Sequence, residues 1–288
     1  MWHMSKDAVG MVATTPQFHW RNIERTAFIA IAALHVACLA APFYFTWGAL
    51  AVGVFLWWVA GGLGICLCFH RLLTHRSFKT PKPFEYFLTA LGCLNWQGGP
   101  IRWVGTHRLH HKESDTEFDP HSPRHGFDWS HMLWCVVQDP YGRNRNDYAP
   151  DLQRDRGMQL LEQYFWVPQV VLAFLLYAIG GLPWVIWGIA VRTVFTYHST
   201  WFVNSASHTW GYRNFKTREK SRNLWWVALL AFGEGWHNNH HAFPRSAAHG
   251  LRRFELDPTY WAIKMLSWVG LAKDIHLPAL GKGRSTVV

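Results

Sequence analysis

The sequence predicts an all-α integral membrane protein, with four transmembrane helices in two hairpins and a cytosolic helical cap. Two blocks, residues 26–69 and 163–191, contain no Asp, Glu, Lys or Arg. The segments outside these blocks carry three tight histidine clusters and all the Lys and Arg residues. A helix needs about 20 apolar residues to cross a hydrocarbon core, so the first block is long enough for two crossings.

Composition agrees with a lipid-facing chain that also has a large aqueous part. Nineteen of the 288 residues are Trp, aromatic residues make up 16%, and apolar residues come in long blocks, yet the mean hydropathy is −0.05. The formal net charge is +10, but the basic residues form no dense run and follow no nucleic-acid module. They suit anionic lipid or an acidic partner protein. Cys38, Cys66 and Cys68 lie within apolar blocks, so the five cysteines read as buried hydrophobes and not as a disulfide framework. No positively charged start with a short apolar core and cleavage site opens the chain, which makes the first block a retained span.

Taken in order, residues 1–25 are a cytoplasmic N-terminal segment, with room for a short helix on the membrane surface. Residues 26–69 form the first transmembrane hairpin. Its turn falls near residues 42–48, where Pro42 and Gly48 tolerate a break and Phe43, Tyr44, Phe45 and Trp47 suit an interface belt. Gly61, Gly62 and Gly64 allow close approach of another helix. Residues 70–160 are the first part of the cap, interrupted by an apolar piece, 86–101, too short and too broken by Asn95, Gln97, Gly98, Gly99 and Pro100 to span. A core, interfacial or re-entrant helix is expected there, followed by a loop over 113–123. Residues 161–204 form the second hairpin, divided by Gly180, Gly181 and Pro183. Arg192 lies inside its outgoing helix, where a charge is costly and calls for a carboxylate or helix-end carbonyl partner. Residues 205–288 complete the cap; segment 224–232 is too short to span. Basic residues avoid both hairpin turns, so the positive-inside bias places both termini and both cap regions on the cytoplasmic side.

The clusters are His70-Arg71-Leu72-Leu73-Thr74-His75, His107-Arg108-Leu109-His110-His111 and His237-Asn238-Asn239-His240-His241, which hold eight of the eighteen histidines. Residues three and four apart share a helix face, so each HxxHH stretch offers up to three imidazoles from one side. His70 and His75, five apart, fit a helix end entering a turn. Eight converging nitrogens exceed the needs of one ion and suit two. Imidazole binds iron, zinc, copper and nickel alike. Asp115, Asp119 and Glu234, near the clusters, read either as partners that fix imidazole tautomers or as solvated loop charges and helix caps. The scattered histidines, among them His35, His121, His131, His198 and His249, read as ordinary hydrogen-bonded residues. A cytoplasmic metal site against helix ends that enter lipid implies a part-lipid substrate. An iron pair with dioxygen would have the power to attack an unactivated C–H bond.

These motifs resemble the membrane fatty acyl desaturases of the stearoyl-CoA and acyl-lipid type. The boxes HRLLTH, HRLHH and HNNHH stand in the family's order, with its surroundings at residues 116–123 and 233–236. The resemblance implies a cis double bond, Δ9 being the expected position, made in a long saturated acyl chain with dioxygen and two electrons at two iron ions. It implies His208, in Asn204-Ser205-Ala206-Ser207-His208, as a ninth ligand and Asn204 as a ligand through water. It also implies a substrate tunnel at Gln97, Trp103, Thr200 and Trp201, closed at its far end by Trp58. Animal acyl-CoA enzymes carry Arg-Asp before the second box, where this chain has Gly105-Thr106. Gln97-Gly98-Gly99-Pro100 and the two asparagines of the third box look more like plant and cyanobacterial enzymes, several acting on glycerolipids. Acyl-lipid and acyl-CoA both stay open as substrates. With no His-Pro-Gly-Gly segment for a fused cytochrome b5, a separate ferredoxin or cytochrome b5 is expected as donor. The competing readings are a di-iron lipid hydroxylase and, from another class, a histidine-rich metal transporter or sensor.

Overall fold

The computed structural model describes residues 20–278, and among these it is helical, its β contacts being isolated bridges such as Ile23 with Val137. Most of the N-terminal segment, including any surface helix, and the end of the C-terminal tail lie outside the described residues. Helix α1 is Arg25–Cys38 and α2 is Trp47–Thr74. Between them Pro42 opens a single 3₁₀ turn, Ala41–Tyr44, and the Thr46 hydroxyl accepts from the Ala49 amide at 3.0 Å to start α2. The break thus falls at the expected residues. At 14 residues α1 is shorter than the roughly 20 that a crossing requires, whereas α2 has 28.

The second apolar block is also helical. Helix α6, Val167–Val185, is interrupted at Gly181, whose φ of 63° and ψ of −158° are open only to glycine. A π turn, Ile186–Val191, then leads into α7, Arg192–Ser205, which tightens to 3₁₀ over Ala206–His208. In the most apolar part of Val167–His208 only 6% of the residues are buried. An exposed apolar helix of this length has lipid as its natural solvent. Two helices are therefore long and apolar enough to cross a membrane among the described residues.

Between the two blocks come α3, Lys82–Cys93, α4, Pro100–Glu113, and α5, Arg156–Gln163, the last capped by Asp155, which accepts from the Gly157 and Met158 amides. The chain ends with the short α8, Trp225–Leu230, and α9, His237–Ala242, then α10, Pro258–Trp268. The interrupted apolar piece is the end of α3 and the turn into α4, and it packs on α2. A Cβ on Gly64 would lie 2.5 Å from the Gly92 amide nitrogen, so Gly64 serves helix packing. Below this contact Leu67, Phe69, Leu88, Val104, Met158 and Ile263 form the core that joins α2, α3, α4, α5 and α10.

Arg192 is buried and its partners are now explicit. It donates from Nη1 to the Leu94 carbonyl at the end of α3 (2.8 Å), from Nη2 to Gln169 Oε1 (2.7 Å) and from Nε to Gly188 O (3.0 Å). The expected carbonyl partner is present, and side-chain amides take the place of a carboxylate. A chain of imidazoles joins α1 and α7 to the turn Trp129–Leu133. His35 Nε2 on α1 is 3.1 Å from His198 Nε2 on α7, and His198 Nδ1 is 3.0 Å from His131 Nε2. Arg192→Leu leaves Gln169 and Leu94 O without a donor, at about 1–3 kcal/mol for each buried group. We expect a lower Tm in detergent, not restored by Arg192→Lys because an ammonium lacks the planar fork.

Candidate metal centre

The backbone of α2 decides how the first cluster presents its rings. From Trp58 to Thr74 the helix is π-wound, and the His75 amide donates to the His70 carbonyl at 3.1 Å, an i→i+5 bond. That winding brings residues five apart onto one face, and the His70 and His75 ring centroids are 4.8 Å apart.

Helices α4 and α9 each divide their three histidines. At about 100° per residue, positions i and i+4 lie about 40° apart on a helix while i+3 lies about 100° from i+4. Accordingly His107 and His111 face one group and His110 the other; on α9, His237 and His241 face the second group and His240 the first. The result is a five-histidine group of His70, His75, His107, His111 and His240, and a four-histidine group of His110, His208, His237 and His241. Within each group the donor atoms lie within 4.8 Å of one another. A six-residue helix such as α9 cannot hold itself. Asn238 Oδ1 accepts the amides of Asn214 and Phe215, and Asn239 bonds Asn214, Asn223, Glu255 and the His249 carbonyl, so the two asparagines of the third box fix it.

Carboxylates set the tautomers. Glu234 Oε2 lies 2.6 Å from His70 Nδ1, Asp119 Oδ2 is 2.9 Å from His110 Nδ1, and Asp115 Oδ1 is 2.9 Å from His208 Nδ1. A neutral imidazole that donates from Nδ1 has a bare lone pair on Nε2. The Nε2 atoms of the two groups point at one another: His70 to His240 at 3.2 Å, His240 to His111 at 2.9 Å, His208 to His237 at 3.0 Å and His237 to His241 at 3.0 Å. Burial, and then the crowding of neighbouring imidazoles, pushes His75, His107, His111, His237, His240 and His241 well below the usual histidine range, so they are neutral. Burial raises the Asp119 carboxyl, but His110 and His121 outweigh it and hold the group well below the carboxylate range; Glu234 behaves likewise beside His70, Arg71 and His249. Neutral, buried nitrogen lone pairs converging on two points form a donor set able to hold two cations of the imidazole-binding metals.

The fatty acid desaturase family profile matches residues 44–265. The chain belongs to that family. A sn-1 stearoyl-lipid 9-desaturase of Anabaena variabilis is 48% identical over 92% of this chain and 96% of its own. A sn-2 palmitoyl-lipid 9-desaturase of a Nostoc species is 47% identical over 91% of each, and a sn-1 stearoyl-lipid 9-desaturase of a Synechocystis species is 49% identical over 88% of this chain and 80% of its own. This desaturase is an oxidoreductase that acts on fatty acyl chains.

The structure brings His70, His75, His107, His110, His111, His208, His237, His240 and His241 together. Asn204 lies four residues before His208, half-buried at the same helix end. Gln97 bridges two of the residues expected to line a tunnel, donating to Thr200 Oγ1 at 3.1 Å and accepting from Trp103 Nε1 at 3.0 Å. Trp201 is buried and stacks on Tyr197. Trp58 is 43% exposed, packing on Phe55 and apart from that set. Two histidines read as ordinary sit against the groups. His121 is 4.3 Å from the His110 ring centroid, and His249 shares Glu234 Oε2 with His70, at 3.0 Å, with its ring 4.4 Å from His240. His121 lies within the motif surroundings at 116–123, whereas His249 belongs to no motif, and Glu234, which recruits it, is the only sequence signal near it. Asp119→Ala frees the His110 tautomer and should weaken metal retention about 10- to 100-fold. Metal content after a graded chelator challenge measures it, with helical circular dichroism as the control for folding.

Proposed function

We propose that this desaturase places a cis double bond at Δ9 of a long saturated acyl chain carried on a membrane glycerolipid. The reading rests on two imidazole groups at the ends of the apolar helices α2 and α7, and on relatives named for stearoyl-lipid and palmitoyl-lipid 9-desaturation. The two groups suit two iron ions, which the five and the four histidines would hold, and Asn204 would join one group through water. An iron pair, when bound, supplies the capacity to use dioxygen against an unactivated C–H bond. Dioxygen takes up four electrons in becoming two waters. The two C–H bonds broken in forming the alkene supply two of them, so two electrons and two protons must come from outside, delivered by ferredoxin or cytochrome b5.

The protein's part is alignment and exclusion of water. Glu234, Asp119 and Asp115 hold the Nδ1 side of His70, His110 and His208 and so orient their Nε2 atoms. The Thr200–Gln97–Trp103 bridge joins α7 to the turn before α4 and would fix where the acyl chain bends past the metals. Trp58, on the exposed side of α2, is assigned the far end of the tunnel. In the membrane, α1 and α2 form the first hairpin over 26–69 and α6 and α7 the second over 161–204. Residues 70–160 and 205–288 form the cap, and the cap and both termini face the cytoplasm, as the basic residues direct.

The deciding experiment is expression in a host without unsaturated acyl chains, followed by lipid mass spectrometry that locates the double bond and its headgroup. Alkene at C9 of a glycerolipid is expected; an alcohol at the same carbon would replace this reading with hydroxylation, and saturated lipid despite iron loading and a working reductant would end it. His240→Ala should abolish desaturation while membrane insertion, followed by carbonate extraction, stays intact. Thr200→Val removes the Gln97 acceptor and should broaden the distribution of double-bond positions without changing metal content, as seen by product mass spectrometry.

A further inference from the structure

The four-histidine group has a route to solvent. Asp115 and Glu219 form part of the lining of an open cavity of about 320 Å³, together with Arg124, Arg218 and Lys220. On the inner side Asp115 Oδ1 is 2.9 Å from His208 Nδ1 and Glu219 Oε1 is 3.8 Å from His241 Nδ1. His208 Nε2 is in turn 3.0 Å from His237 Nε2. One carboxylate and one imidazole therefore separate the cavity from the converging nitrogens. The five-histidine group has a different cover, because Glu234 behind His70 is buried under Arg71, itself buried and held by Asp257 and the Ala247 carbonyl.

The rim is cationic and is built onto the helix that carries the second box. Arg124, Arg218 and Lys220 are exposed. Arg218 Nη2 donates to the carbonyls of His111 (3.1 Å) and Lys112 (2.7 Å) in the last turn of α4, and Arg124 lies 3.2 Å from Glu117. The carboxylates on the floor are already engaged by N–H groups. The Lys220 amide donates to Asp115 Oδ2 and the Ser221 amide to Glu219 Oε2, each at 2.5 Å. An approaching protein thus meets the cations first.

We infer that this rim is the docking face for an acidic one-electron carrier protein, and that electrons reach the centre through Asp115 and His208 at the four-histidine group. The inference rests on the reading under Proposed function, where each double bond needs two external electrons. Electron tunnelling falls off exponentially with distance, so a carrier must come close to the metals, and this cavity offers a short path. Arg218 and Lys220, which form no ion pair among the described residues, steer an acidic carrier to it.

The test uses the full-length, iron-loaded enzyme with acyl-lipid in nanodiscs and two alternative reductants, an acidic plant-type [2Fe–2S] ferredoxin and dithionite-reduced methyl viologen. Arg218→Glu with Lys220→Glu should raise the KM for ferredoxin about tenfold or more. Its kcat and its turnover with viologen should stay within about twofold of the wild type, because rim charges act mainly on association. Raising ionic strength from about 50 to 300 mM should raise the wild-type KM steeply and that of the variant little. Lys220→Glu alone keeps the backbone bond to Asp115 and the Arg218 anchor, and should show the same trend at smaller size. Lys264→Glu on α10 is the charge-matched control for the single variant. A ferredoxin KM no different from that of Lys264→Glu overturns the inference. So does an equal loss with both reductants, which would mark the rim as structural, or a KM shift that follows weakened binding to anionic vesicles. If the wild type forms no double bond with either reductant, it is the function proposed above that fails.

Discussion

Everything in this structure depends on an arrangement that is unfavourable by itself: nitrogen lone pairs of buried, neutral imidazoles facing one another at about 3 Å, as His237 and His241 do. Such an array repels itself unless cations lie within it, and buried polar atoms without partners are costly. The carboxylates make the arrangement possible. By accepting from Nδ1 of His70, His110 and His208 they turn each Nε2 towards its group.

Those carboxylates have to be stabilised in turn. Glu234 is buried among Arg71, His70 and His249, and Arg71 continues the network to Asp257, which accepts the His249 amide at 2.7 Å. A buried ion network of this kind contributes more to fixing one geometry than to raising stability, because desolvating each charge offsets most of the Coulombic gain. Here it ties the end of α2 to the segment after the third box, so that groups more than 160 residues apart share one set of hydrogen bonds. Gly233, at a φ of 106°, fits against Asp257, where a Cβ would lie 2.5 Å from Oδ1. The approach to Glu234 therefore leaves no room for a side chain.

The apolar helices answer to a different solvent. Val167–His208 leaves its most apolar stretch almost wholly uncovered, and its single charge, Arg192, turns inward to carbonyl and amide oxygens. Arg192 gathers α3, α6 and α7 at one point, and the Gln97–Thr200 bond spans the same junction one step nearer the metal centre. The lipid-facing bundle and the imidazole groups are thus joined by polar contacts made where the apolar helices end.

The sequence by itself determined the chemistry and its location in the chain. Uninterrupted apolar blocks dictate helices in lipid, and eight histidines in three boxes have little purpose except metal. His208 was legible only through the likeness of its surroundings to a family motif, since a lone imidazole at a helix end has many ordinary uses. What the tertiary structure decided is the division of the nine. It follows from the angle between i+3 and i+4 on α4 and α9, from the π winding that aligns His70 with His75, and from contacts that bring His249 to Glu234 and Glu219 to His241. Periodicity tells which residues share a face of one helix. Which face meets which is fixed only when the helices pack, because that depends on the shape of side chains far apart in the sequence.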